Sequence, residues 1–147
     1  MKPSAIRREL LDQHLELRVA MQAARRAAER CARSGNPAEL RDALAHIGDR
    51  LRMHNLHEEE LMRDVFPTLD AWGMIRAEVM VEEHVLEHRQ LYEALLGASS
   101  TLDAKAAAAK ANELFDKILA HMAREEKVFL GEDVLSDDDI TPDSFGG

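Results

Sequence analysis

Residues 34–37 read SGNP, the first break in a chain whose apolar residues otherwise recur at helical spacing. Upstream of it, Ile6, Leu10, Leu11, Leu17, Met21 and Ala24 fit one broad stripe, which predicts a helix from just after Ser4 to the break. Downstream, Asn36 is placed to cap a second helix with Pro37 at its first position, where a fixed φ and a missing N–H are tolerated. Leu40, Leu44, Ile47, Leu51 and Leu61 carry that helix on towards Pro67, and the residue before a proline avoids the helical region.

Residues 67–73, PTLDAWG, read as a corner or a single turn. A third helix is expected from Met74 through Val81, Val85, Leu91 and Leu95 to the region of Gly97–Ser100. Ser100 or Thr101 offers a cap for a fourth, which carries Leu114, Ile118, Met122 and Phe129 to about Leu130. No useful stretch alternates with the period of a strand. Four long helices with short links predict an all-α fold, an antiparallel up-down-up-down four-helix bundle. The length suits one domain, with residues 1–131 as the bundle and 132–147 as an acidic, flexible C-terminal tail.

Composition narrows the function. Hydrophobic residues make up 46% and charged residues 32%, an ordinary globular mixture, and the formal net charge is −9. No run of Lys and Arg stands clear of acidic neighbours, so neither nucleic acid nor an anionic membrane is an expected partner. No apolar run is long enough to span a bilayer, and MKPSAIRRELLDQH lacks the pattern of a signal peptide. A single cysteine, Cys31, excludes an internal disulfide framework and reads as a small packed residue. A cytoplasmic protein is expected.

The chemistry sits in seven histidines, at 14, 46, 54, 57, 84, 88 and 121. His54 stands four before Glu58, His84 four before His88, and His121 four before Glu125. Residues four apart share a helical face, so each pair could chelate one ion or bridge two. One such pair says little, but three on three helices, with His14 on the fourth, say much more. Counted from the expected helix ends, His14 and the 54/58 pair lie within roughly 3 Å of one height, as do the 54/58 and 84/88 pairs. The 121/125 pair misses by roughly 12 Å unless the third helix continues past Gly97 or the fourth begins nearer Ala106. Buried imidazoles and carboxylates at one level are costly without a partner, and a metal supplies one. His46 and His57 read as surface residues, with His57 able to stand beside the ligands.

Five imidazoles with two or more carboxylates exceed the four ligands of a zinc ion and suit two carboxylate-bridged ions. Imidazole and carboxylate without thiolate favour iron over copper. The Glu-x-x-His pattern of ferritin-like di-iron proteins is absent, because no histidine has a Glu three residues before it.

These motifs resemble the hemerythrin family and its bacterial HHE cation-binding relatives. LLDQHLELR is similar to the first-helix motif and HNLHEEELM to the H-x-x-x-E-E-x-L-M signature. EEHVLEH resembles the H-x-x-x-H helix, and HMAREEKVFL the end motif of HHE domains. The resemblance implies two non-haem iron ions, carboxylate- and oxo-bridged, with Glu58 and a fourth-helix glutamate as bridges. His84, His88 and His121 would saturate one iron, while His14 and His54 would leave the other with an open position for O2 or another small diatomic ligand. Hemerythrins proper carry Asp five residues after the fourth-helix histidine, where this chain has Glu126. Glu125 is the HHE-style ligand, and position i+4 lies only about 40° from His121 around the helix against about 140° for i+5. Glu125 is therefore the expected ligand and Glu126 the alternative. By spacing, Leu17, Asn55, Ile118 and Met122 would wall the ligand pocket. The expected function is O2 storage, delivery or sensing rather than an enzyme. The alternatives are a di-iron redox enzyme acting on peroxide or nitric oxide, and an iron or oxygen sensor module.

Overall fold

The computed structural model describes residues 2–68, 74–128, 130, 131, 135 and 137, with only the backbone at 74–78. Among these residues the chain forms four α-helices, one short 3-10 turn and no strand. Helix α1 spans Pro3–Ser34, α2 Ala38–Asp64, α3 Met74–Ser100 and α4 Ala104–Val128, with the 3-10 turn at Phe66–Thr68. Each helix packs on the next, and α4 returns to α1.

The SGNP break works through Gly35, whose φ of 75° is left-handed and lets its N–H reach the Cys31 carbonyl at 2.9 Å. Asn36 then caps α2, its Oδ1 accepting from the Ala38 amide at 3.0 Å. At α4 the cap is Asp103, which accepts from the Ala106 amide at 2.9 Å, rather than Ser100 or Thr101. Those two hydroxyls instead turn back to the Gly97 carbonyl and close α3, a local bond that competes with capping. α3 thus runs past Gly97, and α4 starts two residues before Ala106. This narrows the height mismatch to roughly 8 Å at 1.5 Å per residue, which a three-residue link can span. The corner at 69–73, Phe129 and most of the 132–147 tail lie outside the described residues.

Two points of that tail are described. Leu135 is buried, and Asp137 accepts from the Ser4 amide at 3.1 Å and its hydroxyl at 3.0 Å. Lys2, at the head of α1, makes no capping bond, so Asp137 satisfies an orphan amide of α1 from across the sequence.

The core has two parts. The larger joins Leu17, Met21, Leu44, Ile47, Leu51, Leu91, Leu95, Phe115, Ile118 and Met122 with a run of alanines, Ala24 and Ala28 on α1 and Ala107, Ala108 and Ala111 on α4. Those small side chains let the two helices approach closely, and Cys31 Sγ lies 3.5 Å from the Ala104 carbonyl there. The smaller part joins Leu10, Leu61, Met62, Phe66, Leu130 and Leu135. Between the two runs a layer of buried histidines and glutamates.

Candidate metal centre

Each candidate ligand occupies one place in an apolar stripe. On α1 the buried series runs Leu10, His14, Leu17 and Met21; on α2 Leu51, His54, Glu58 and Leu61; on α4 Ile118, His121, Met122 and Glu125. The helical period that buries the leucines therefore buries the ligands with them.

The side chains converge on two overlapping groups. His14, His54, Glu58 and Glu125 each bring one ligand atom within 4.8 Å of the others, and so do Glu58, His88, His121 and Glu125. Both glutamates belong to both groups. Glu125 Oε1 lies 3.1 Å from His14 Nε2 and 3.7 Å from His54 Nε2. Its Oε2 lies 3.2 Å from His121 Nε2 and 3.4 Å from His84 Nε2. One oxygen of this carboxylate thus faces each set of histidines. Glu58 Oε1 lies 2.6 Å from His54 Nε2 and 3.9 Å from His88 Nε2. The rings of His84, His88 and His121 stand 5.2 to 5.6 Å apart, centre to centre.

The inward atoms are poorly satisfied by protein. Both oxygens of Glu58, Oε2 of Glu125, and Nε2 of His88 and His121 are buried with no aligned hydrogen bond among the described residues. The 2.6 Å approach of His54 to Glu58 is thus a close contact without hydrogen-bond alignment. Buried polar atoms left in this way are expensive, and a cation between them would satisfy all of them at once. The donor set therefore fits metal.

The outward atoms are held firmly. His54 Nδ1–H donates to Gln13 Oε1 at 2.7 Å, His84 Nδ1–H to the Met80 carbonyl at 3.2 Å, and His88 Nδ1–H to Glu59 Oε1 at 3.1 Å. His121 Nδ1 lies 2.9 Å from Glu87 Oε1, whereas His14 Nδ1 lies 3.4 Å from Glu126 Oε1 without an aligned hydrogen bond among the described residues. Such partners fix the ring and leave the bare Nε2 lone pair directed inward, as metal-ligating histidines require. Arg18 pairs twice with Glu126, at 2.7 and 2.8 Å, and Arg124 pairs with Glu87. Gln13 also reaches outward, its Nε2 donating to His57 Nδ1 at 2.7 Å.

Burial lowers the pKa of His14, His84 and His121 to about 4 and pushes His88 down as well. The four rings are therefore neutral near pH 7, the form that coordinates. The hydrogen bond from Arg18 holds Glu126 below the usual carboxylate range.

The structure thus brings together His14, His54, Glu58, His84, His88, His121 and Glu125. Glu126 lies outside the layer, its side chain 29% exposed against 1% for Glu125. Leu17, Ile118 and Met122 are buried in the larger core, and Asn55 on α2 is buried as well. His46 accepts from Arg50 Nε at 2.9 Å on the surface, and His57 stands behind His54 through Gln13. The sequence reading did not find Gln13, Glu87 or the supporting role of Glu59. Their signal was adjacency, because each sits one position from a ligand, turned about 100° out of the layer.

No helix among the described residues is long and apolar enough to cross a membrane. No curated protein and no solved structure matches the chain. The family model of the hemerythrin HHE cation binding domain matches residues 5–132, nearly the whole of the helical region. The chain belongs to the hemerythrin HHE cation-binding domain family.

Proposed function

We propose that this chain is a di-iron protein that binds O2 or another small diatomic molecule, for storage, delivery or sensing. The observation that carries the reading is the shared carboxylate pair, with Glu125 presenting Oε1 to His14 and His54 and Oε2 to His84 and His121. Glu58 is the second bridge. His84, His88 and His121 fill the coordination of one ion, and His14 and His54 hold the other. The second set has one imidazole fewer, which leaves a coordination position for a small ligand. Imidazole and carboxylate without thiolate suit iron, and iron supplies a reversible change of oxidation state at that open position.

The protein's own residues do the rest. Gln13, Glu59, Glu87, Glu126 and the Met80 carbonyl orient the rings and raise their basicity. Leu17, Ile118 and Met122 exclude water from one side, and Leu10, Leu61 and Met62 from the other. The bundle is antiparallel, up-down-up-down. Arg30 near the end of α1 meets Glu39 at the start of α2, Gly48 of α2 meets Leu95 of α3, and Cys31 of α1 meets Ala104 of α4. Residues 1–131 are the working bundle, since every proposed ligand lies within them, and 132–147 are a tail without ligands.

One observation favours a second reading, redox chemistry on peroxide or nitric oxide. The wall contains a buried polar side chain, Asn55, and polarity there hastens oxidation by admitting water. Exposure of anaerobically iron-loaded, reduced protein to O2 separates the two. An absorption change that reverses when O2 is removed is expected for binding. Direct conversion to an oxidised form that only a reductant restores would reject carriage in favour of redox chemistry.

A further inference from the structure

Asn55 is 4% exposed, and neither its Nδ2 nor its Oδ1 has a hydrogen-bond partner among the described residues. It sits mid-helix in α2, three residues before Glu58, so the two side chains share a face about 5–6 Å apart at Cβ. Leu17, Ile118 and Met122 stand three residues from His14, His121 and Glu125 in the same way, and all three belong to the larger apolar core. Among the described residues of that wall, Asn55 is the polar member. A leucine would pack there without stranding a donor and an acceptor, so the amide costs the fold something that no contact among the described residues returns.

We propose that Asn55 is a specificity-determining residue: its Nδ2 donates a hydrogen bond to the outer atom of a small ligand held at the metal centre. The centre thereby favours ligands with a charged or lone-pair-rich outer atom, such as small anions and polar diatomics, over apolar ones of equal size. The assignment rests on the two-ion reading given above. An amide suits the task because it does not titrate and stays a donor at any working pH.

The test uses the full chain, the variants N55L and N55A, and azide as the probe. Iron content is measured first, then azide affinity and the azide infrared stretch of the oxidised protein, then urea unfolding of the metal-free chains. Two irons in all three proteins are expected, with azide bound about tenfold more weakly by both variants, as loss of one hydrogen bond to a charged acceptor implies. The azide stretch shifts in both. N55L without metal unfolds at a urea concentration no lower than the wild type, since the amide has no hydrogen-bond partner among the described residues to lose. Equal azide affinity and an unmoved stretch in variants holding two irons would overturn the assignment while leaving the two-ion reading intact. A clearly lower urea midpoint for both metal-free variants would overturn it too, by showing a structural partner for the amide. A wild type that does not hold two irons would overturn the two-ion reading, and this assignment with it.

Discussion

Glu125 and Glu126 are neighbours in sequence and differ in nearly everything else. One step along a helix turns a side chain about 100°, which takes Glu125 into the ligand layer and sends Glu126 to Arg18 at the surface. The two should therefore respond differently to the same change. Glu125→Gln removes a shared carboxylate and should weaken iron binding by more than about 100-fold, beyond the range of an outer-layer substitution. Glu126→Gln only loosens the hold on His14 and should cost about 10-fold. Competition with a chelator of known affinity measures both, and equal losses would mean that the two roles are not separate. At this scale the residues that cluster in the layer were legible, because metal chemistry favours few residue types and these stand at i, i+4 spacing. The supporting side chains were not legible. Gln13, Glu59 and Glu87 look like any solvated helix residue until the neighbouring helix is in place. Asn55, expected in the pocket wall from spacing alone, is buried.

Among the elements, α2 and α3 approach closely at Gly48. A Cβ built there would lie 2.8 Å from the end of the Leu95 side chain, and the Tyr92 hydroxyl reaches the Gly48 carbonyl at 3.5 Å nearby. Gly48→Ala should be near neutral, because Leu95 can shift and alanine gains up to about 1 kcal/mol in helix propensity. Gly48→Val has no such latitude and should cost about 1–3 kcal/mol, read from urea unfolding of the metal-free chain. A valine variant as stable as the alanine one would refute this account of the α2–α3 contact. Helix ends were readable where punctuation is strong, as at Gly35 and Asn36. They were misread where several capping residues compete. Ser100, Thr101 and Asp103 all stand near the α3–α4 link, and only the path of the chain decides that Asp103 caps while the hydroxyls turn back.

Over the whole molecule, the polar layer lies between two apolar clusters that isolate it from both ends. Seven candidate ligands from four helices meet there, so metal binding at this layer would be coupled to the packing of every helix. Sequence spacing placed the first three helices in register, but the fourth did not close until its start and the end of α3 were known. Link geometry has no periodic signature, so that misfit could not be resolved from residues alone. The central claim is that two ions share Glu58 and Glu125. It is tested most directly by the iron retained per chain after anaerobic loading with ferrous iron and removal of the unbound metal. Two irons per chain are predicted for the native sequence, with both lost together in Glu58→Ala. One iron or none, or a Glu58→Ala chain that keeps two, would contradict it.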